Sequence, residues 1–234
     1  MKIDIGKTVR ELVVDMPAAT RIFEKLGIDY CCGGGRSLKD ACTAVGARVE
    51  DVLDALEEAP EEPQVDWQKA SLSRLVSYII GKHHTFTTQE VARLEPLASK
   101  VARVHGANHT ELPKLYQLFR KLEAEISAHM PKEEQDIFPQ ITRLEEASSA
   151  EQPLPPVPSL QGGIRDLTTE HELVGTILRD MRTLTSDYAV PPDGCGSYHA
   201  LYGGLSELER DLHQHIHLEN NILLPRAMTL VMRG

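Results

Sequence analysis

The sequence predicts an all-α fold in which an up-and-down four-helix bundle follows a small helical N-terminal domain. Four long segments carry apolar residues at spacings of three and four, which is the pattern of an amphipathic helix. Breaks rich in proline or glycine separate most of these segments, and none of them alternates apolar and polar residues as a half-buried strand does. Four helices that each bury one apolar stripe predict a four-helix bundle. The segments are residues 71–104, 111–146, 160–186 and 198–231.

Residues 1–60 are predicted to form the small domain, with short helices around a glycine-rich turn. Residues 57–66 are acidic and contain two prolines, so we interpret this segment as a linker. The bundle domain is then expected over residues 61–234, with an extended connection at 148–159, where four prolines occur, and a loop at 189–197. The short N-terminal helices are expected at residues 8–16, 18–26, 37–45 and 48–57.

The composition argues against several classes of protein. The 234 residues include 25 Lys and Arg against 35 Asp and Glu, and the formal net charge of −10 argues against a nucleic-acid partner. No segment approaches the roughly 20 apolar residues of a membrane span, and the N-terminus lacks the apolar core of a signal peptide. Four cysteines are too few for a disulfide framework in a chain of this length. We therefore expect a cytoplasmic protein without a membrane partner.

Polar side chains interrupt the apolar stripes of three predicted helices. His129 and Glu133 lie one turn apart on the second helix, and His215 and Glu219 lie one turn apart on the fourth. His171 occupies the middle of the third stripe. A carboxylate that faces a helical core costs several kcal/mol unless it is paired or binds a metal. Two such carboxylates, each with an imidazole one turn away, predict a shared cation.

The two motifs form an internal repeat. HMPKEEQDIFP and HIHLENNILLP both contain His, then Glu four residues later, then Pro six residues after the Glu. His171 precedes His215 by 44 residues (215 − 171), and His84 precedes His129 by 45 (129 − 84). Helical geometry favours His83 as the ligand of the first helix, whereas the repeat favours His84, which we choose. A single pair of this kind is usually a solvated ion pair, but two matched copies in apolar stripes favour a metal site.

The donor set favours two metal ions over one. Four imidazoles and two carboxylates are too many ligands for one tetrahedral zinc ion. If both carboxylates bridge, each ion receives two imidazole nitrogens, two carboxylate oxygens and a shared oxo or hydroxo group, which leaves one octahedral position open. Imidazole combined with carboxylate suits iron, with manganese and zinc as weaker alternatives. The open position would permit the binding of a small molecule.

Two local expectations accompany this site. Pro131 lies between His129 and Glu133, where a proline inside a helix costs about 3 kcal/mol. We expect a kink or a widened turn that leaves both neighbouring side chains facing the metals. His213 and His217 flank the repeat motif of the fourth helix, and we expect them on its solvated outer face.

Four motifs connect the chain with a known family. They are DYCCGGG at residues 29–35, HMPKEEQDIFP, TEHELVG around His171, and HIHLENNILLPRA near the C-terminus. With these motifs essentially the whole chain resembles the repair of iron centres (RIC) family, whose bundle is a hemerythrin-like (HHE) domain. The resemblance implies a non-haem, oxo-bridged di-iron centre that repairs iron–sulfur clusters after nitrosative or oxidative stress by donating iron. It implies the ligands His84, His129, Glu133, His171, His215 and Glu219, and it places Glu125 and Glu170 near the path of the iron.

Cys31 and Cys32 form a separate candidate site. Adjacent cysteines rarely bridge each other without strain, and the free amides of Gly33, Gly34 and Gly35 could lower the pKa of a thiol. The residues alone favour two small buried side chains. The resemblance favours a thiol site that passes iron or nitric oxide, or that contacts a client protein.

Three alternatives to iron donation stay open at this point. The chain could carry or sense oxygen or nitric oxide, reduce nitric oxide at a di-iron centre, or act as a metal-free helical interaction module. The paired cysteines favour repair, because a gas carrier needs no thiol domain. We therefore expect an iron donor more than a turnover enzyme, with iron–sulfur proteins as clients. The sequence does not determine the oligomeric state, and a homodimer stays among the alternatives.

Overall fold

The structure is a computed structural model that describes residues 3–58, 65–157 and 160–232. The predicted all-α fold is confirmed within these residues. Thr8 and Ser37 accept hydrogen bonds from backbone amides and cap the first and third short helices, which therefore begin one residue later than predicted. Most of the predicted linker at residues 57–66 lies outside the described residues. The short helices are α1 (Val9–Asp15), α2 (Ala19–Leu26), α3 (Leu38–Val45) and α4 (Val49–Glu57).

Three of the four bundle helices contain a π turn, in which the chain makes one wider turn within an α-helix. The third bundle helix, α9 (Leu160–Leu184), is continuous. The first consists of α5 (Leu72–Tyr78), π1 (Ile79–His84) and α6 (Thr85–His105). The second consists of α7 (Glu111–Lys132), π2 (Glu133–Ile137) and α8 (Phe138–Ser149). The fourth consists of α10 (Gly196–Leu218), π3 (Glu219–Leu223) and α11 (Leu224–Val231).

The four helices form a closed ring of neighbours. Helix α6 packs against α7 and α10, α7 packs against α9, and α9 contacts α10. Consecutive helices are joined through residues 106–110, 150–159 and 185–195, as in an up-and-down bundle. Among the described residues, no helix combines the length and the apolar character needed to cross a bilayer.

Two separate apolar cores fill the interior of the bundle. One core is built by α5, α8, the start of α9, and α11, and it includes Ile79, Phe138 and Leu167. The other is built by α6, α7, the end of α9, and α10, and it includes Phe119 and Leu208 together with the N-terminal helices. The predicted metal ligands occupy the layer between these two cores.

The N-terminal helices pack against the fourth bundle helix. The buried Asn221 amide donates to the Tyr30 carbonyl oxygen at 3.1 Å, and the Tyr30 ring lies edge-on to His217 and His213. The expectation that both histidines are solvated was therefore wrong, because His217 is 5% exposed and His213 is partly buried. Burial, with a smaller contribution from the Arg10 guanidinium, lowers the pKa of His217 to about 4.

A side chain from the second bundle helix caps the start of the first. The Glu145 carboxylate accepts hydrogen bonds from the amide of Leu72 at 2.5 Å and from the amide of Ser73 at 2.8 Å. These amides belong to the first turn of α5, where an α-helix leaves its backbone donors unpaired. Glu145 therefore links the two helices and satisfies two donors at once.

Replacement of this cap is expected to destabilise the fold. Glu145→Ala should lower the free energy of unfolding by about 1–2 kcal/mol, because the two amides lose a charged acceptor. The neighbouring Glu146 is exposed, and Glu146→Ala serves as the matched control with an expected change within about 0.5 kcal/mol. Urea denaturation followed by circular dichroism measures both values. Equal stability of the two variants would contradict the role of Glu145 as a cap.

Candidate metal centre

The structure brings all six predicted ligand side chains into one buried cluster, in which each residue is at most 7% exposed. The cluster divides into two groups that share the carboxylates of Glu133 and Glu219. In each group, one donor atom from every residue lies within 4.8 Å of the others. The 84/215 half-site adds His84 and His215 to these carboxylates, and the 129/171 half-site adds His129 and His171.

Each carboxylate directs one oxygen to each half-site. Glu133 places Oε2 3.4 Å from His84 Nε2 and Oε1 3.1 Å from His129 Nε2. Glu219 is arranged in the same way, with 2.9 Å from Oε1 to His215 Nε2 and 3.1 Å from Oε2 to His171 Nε2. A carboxylate with its two oxygens in neighbouring sites is placed to bridge two cations.

The π turns set the rotation of the ligands about their helices. In a regular α-helix, His83 would lie on the face that points to the cluster. Because π1 contains one residue more than an α turn, His84 lies on that face instead. His83 is also buried, but its Nδ1 lies 3.0 Å from the Asp211 carboxylate. The conflict between helical geometry and repeat spacing therefore has a physical cause, which is the extra residue in the first bundle helix.

The expected widened turn does not lie at Pro131: α7 stays α-helical through Pro131 to Lys132, and the wider turn π2 begins at Glu133. The Glu133 side chain is fully buried in the cluster. Pro139 follows π2 and Pro225 follows π3. Since a proline has no amide N–H, the carbonyl four residues earlier loses its α-helical partner, which favours a wider turn.

Neighbouring side chains orient three of the four imidazoles. In each case Nδ1 donates a hydrogen bond to an oxygen at 2.7–2.8 Å, which leaves the Nε2 lone pair directed into the cluster. Outer acceptors of this kind are the usual support of histidine metal ligands. The pairs are His84 with Glu134, His129 with Glu170, and His171 with Asn220.

The imidazole nitrogens and carboxylate oxygens of the cluster are arranged to bind a cation. The Nε2 atoms of His84 and His215 are 3.1 Å apart, and those of His129 and His171 are 3.0 Å apart. Within the described part of the chain, neither oxygen of Glu133 has a hydrogen-bond donor in suitable geometry. Lone pairs and carboxylate charge that face one another in a dry interior repel unless a positive charge lies between them. The donor set of imidazole nitrogen and carboxylate oxygen suits a transition-metal ion.

The pKa values of His129 and Glu219 also indicate that the cluster favours positive charge. Burial favours a neutral imidazole, but Glu133 and the neighbouring carboxylates outweigh burial and raise the pKa of His129 to about 9. Burial would also raise the pKa of Glu219, yet the imidazoles of His215 and His171 hold that pKa well below its usual range. Metal ions or protons can meet this demand, so the two compete for the cluster.

Only one of the two glutamates expected near the iron path contacts the cluster. Glu170 accepts from His129 Nδ1 at 2.7 Å and from Lys132 Nζ at 2.8 Å. Glu125 is half-buried on α7, and its carboxylate has no hydrogen-bond or ion-pair partner among the described residues. The structure therefore places Glu170 as the support of a predicted ligand and does not bring Glu125 into the cluster.

The paired cysteines lie beside the cluster. The Cys32 thiol donates to the backbone carbonyl of His171 at 3.4 Å, and its sulfur lies 3.8 Å from that of Cys31. A Cβ at Gly175 would lie 3.1 Å from the Cys32 sulfur, so glycine permits this close approach. Asp29 completes a group of three donors that could hold a metal.

The expectation that the glycine turn lowers a thiol pKa was wrong for Cys31. The Asp29 carboxylate accepts from the amides of Cys31 and Cys32 at 3.2 and 2.9 Å and also from the amide of Gly33, so the first of the three glycine amides serves Asp29 and not a thiol. The hydrogen bond with the Cys32 thiol and burial raise the pKa of Cys31 well above its usual range. Cys31 is therefore not an activated thiolate.

Sequence analysis missed the outer acceptors Glu134 and Asn220, although a signal was present. Each follows the shared carboxylate of its repeat, so they occupy equivalent positions after Glu133 and Glu219. The environment of Cys195 was likewise not predicted: this residue is exposed at the start of α10, with its sulfur 3.2 Å from His105 Nε2. No repeat or motif in the sequence marked that contact.

Comparison with known proteins gives matches along most of the chain. The model of the hemerythrin HHE cation binding domain matches residues 75–227, and a domain of unknown function (DUF542) matches residues 5–60. The iron-sulfur cluster repair protein ScdA of Staphylococcus haemolyticus is 36% identical over 217 residues, which is 92% of this chain and 95% of that protein. The iron-sulfur cluster repair protein YtfE of Escherichia coli is 34% identical over 220 residues, which is 93% and 94% of the two chains. YtfE of Citrobacter koseri shows the same identity and coverage.

The thiols are expected to react in a defined order. The amide of Tyr198 and the imidazole of His105 lower the pKa of Cys195 to about 7, so its alkylation by iodoacetamide should reach half its maximal rate near pH 7. Cys31 should stay unmodified under the same conditions, because only the thiolate reacts. His105→Gln should move the Cys195 midpoint towards the ordinary value of about 8.5. Mass spectrometry of proteolytic peptides measures both rates, and faster modification of Cys31 than of Cys195 would contradict this account.

Proposed function

This chain belongs to the family of iron–sulfur cluster repair proteins with a hemerythrin HHE cation binding domain, and from that premise we propose that it repairs damaged clusters by supplying iron. The iron is held as two ions, one in each half-site. The similarity to repair proteins extends over at least 92% of this chain, so it includes both the thiol-bearing N-terminal helices and the bundle. The observation that carries the proposal is the pair of carboxylates with one oxygen in each half-site.

The donor atoms favour iron as the cargo. Each half-site offers two imidazole nitrogens and two carboxylate oxygens. Four strong donors of mixed nitrogen and oxygen type suit ferrous and ferric iron and leave coordination positions for a further ligand. Two bridging carboxylates supply two negative charges, which offset part of the charge of two cations. A transferable ion needs such an incomplete protein cage, because an acceptor must be able to bind the ion before the protein releases it.

The residues of the chain have three tasks in this function. The carboxylates of Glu133 and Glu219 place two ions side by side, and the apolar cores on both sides exclude water from the ligand layer. The acceptors Glu134, Glu170 and Asn220 fix three imidazoles with Nε2 directed inwards. Iron bound at these positions can exchange between the ferrous and ferric states and is the material that a damaged cluster lacks.

We assign Cys32 as the thiol that meets iron outside the ligand layer. Its sulfur contacts the His171 carbonyl oxygen and also lines a cavity of about 280 Å³. Asn220, which orients the His171 ring, lines the same cavity. The Cys32 thiol therefore lies between the backbone of a predicted ligand and this cavity. Cys31 and Asp29 lie within reach as additional donors.

Iron binding is expected to depend on the shared carboxylates. After anaerobic loading with ferrous iron, the chain should retain about two ions, one in each half-site of the cluster. Glu133→Gln should lose at least one of them, because the neutral amide removes a bridging charge and leaves repelling imidazoles. Asp136→Asn changes an exposed carboxylate on the same π turn and is the matched control. Elemental analysis after gel filtration measures the iron content, and full retention by Glu133→Gln would contradict the assignment.

Repair is expected to require the loaded cluster. The iron-loaded protein should reactivate a [4Fe–4S] dehydratase damaged by nitric oxide, in the presence of a chelator that captures free iron. His129→Ala should abolish reactivation, Cys32→Ser should slow it, and Asp136→Asn should match the unmodified protein. Reactivation by His129→Ala would contradict iron donation. Consumption of nitric oxide over many turnovers without reactivation would favour a di-iron reductase, and reversible binding of nitric oxide or oxygen alone would favour a carrier or sensor.

A further inference from the structure

The two half-sites differ in how their imidazoles are supported. We infer that the 84/215 half-site binds iron more weakly and supplies the ion that leaves first, while the 129/171 half-site retains its ion. This inference rests on the proposed function, because it assigns the transferable ion of a protein that donates iron. It follows from the contacts of the Nδ1 atoms, which face away from the ions.

Both imidazoles of the 129/171 half-site are held firmly. His129 Nδ1 donates to Glu170, and the second oxygen of that carboxylate is fixed by Lys132 Nζ at 2.8 Å. His171 Nδ1 donates to the Asn220 side-chain oxygen at 2.8 Å. Each ring is therefore held in the orientation that binds a metal before any metal arrives.

Support in the 84/215 half-site is weaker on both rings. His84 Nδ1 donates to Glu134 at 2.7 Å, as His129 does to Glu170, but the described residues contain no cation paired with Glu134 that would match Lys132. His215 Nδ1 is buried, and no described residue provides an acceptor for it. The ring of His215 is held at its Nδ1 side by packing alone.

The internal repeat identifies the cause of this difference. Glu170 comes directly before His171 on the third bundle helix and supports His129 of the second. The equivalent residue of the first half comes directly before His84, and it is His83. Instead of offering an oxygen to His215, the His83 ring stacks on it with centroids 5.7 Å apart and an angle of 11° between the planes. The His83 Nδ1 is already directed at Asp211, at 3.0 Å.

The chemical consequence is a difference in affinity between the two half-sites. Loss of an outer acceptor typically costs about 10- to 100-fold in metal affinity, because the ligand ring is less basic and less ordered. A buried Nδ1–H without an acceptor also loses its hydration with no compensation in the protein. Both effects apply to His215 and neither applies to His129 or His171, so the two ions should dissociate at different rates.

Chelator extraction of the iron-loaded full chain tests the inference. Ferrozine should remove iron in two phases, each of about one ion per chain, with rates that differ by about 10- to 100-fold. Asn220→Leu removes the acceptor of His171 and should accelerate the slow phase by at least about 10-fold while the fast phase is unchanged. Asn220→Asp retains an acceptor oxygen and should keep the slow phase slow. Asp136→Asn should behave as the unmodified chain.

A second variant adds the missing acceptor. The amide oxygen of His83→Gln can accept from His215 Nδ1 while its amide nitrogen donates to Asp211. This variant should slow the fast phase and leave the slow phase unchanged. Circular dichroism and iron content establish that each variant is folded and loaded with iron. If His83→Gln does not load, the comparison of Asn220→Leu with Asn220→Asp decides the assignment.

Three results would overturn the inference: release of both ions in a single phase from the unmodified chain, acceleration of the fast phase by Asn220→Leu, or an unchanged slow phase in that variant. These outcomes are separate from failure of the proposed function. Two-phase release in a protein that reactivates no damaged cluster would contradict the function and support the order of release. Reactivation of a damaged cluster together with single-phase release would support the function and contradict the order of release.

Discussion

The burial of two carboxylates and four imidazoles between two apolar cores is the constraint on which the rest of the structure depends. A carboxylate in such an interior is costly unless a positive charge offsets it. Because the Nδ1 atoms of three imidazoles donate outwards, these rings in their neutral form offer Nε2 lone pairs and no proton to the carboxylates. Only cations or added protons make the layer stable, so the ligand geometry and the stability of the bundle are linked.

Other features of the fold serve this layer. The π turns rotate ligands into it, and the prolines that follow two of these turns disfavour regular α-helix at those positions. The residue after each shared carboxylate supports an imidazole from the preceding helix, which ties adjacent helices together through the site. The N-terminal helices contact the same layer from outside, where Cys32 meets the backbone of His171. The six predicted ligands, their supports and a thiol thus lie next to one another.

The helices and the six clustered residues could be predicted because amphipathic spacing and an internal repeat are local patterns. The choice between His83 and His84 was harder, since a period of 3.6 residues cannot reveal a π turn. His217 was misplaced because its burial depends on Tyr30, which comes from a distant part of the chain. The pKa of Cys31 was misjudged because the glycine turn does not reveal that this thiol is buried against the Cys32 thiol and the Asp29 carboxylate. In each case a contact between distant segments, or a change of helical register, decided the outcome.

The central claim is that two metal ions occupy one layer and are bridged by the same two carboxylates. Anomalous diffraction at the iron edge, from crystals loaded anaerobically with ferrous iron, tests this claim most directly. The account predicts two peaks, one between His84 and His215 and the other between His129 and His171, with Glu133 and Glu219 contacting both. A single peak, or iron bound outside this layer while the six side chains keep their present arrangement, would contradict it.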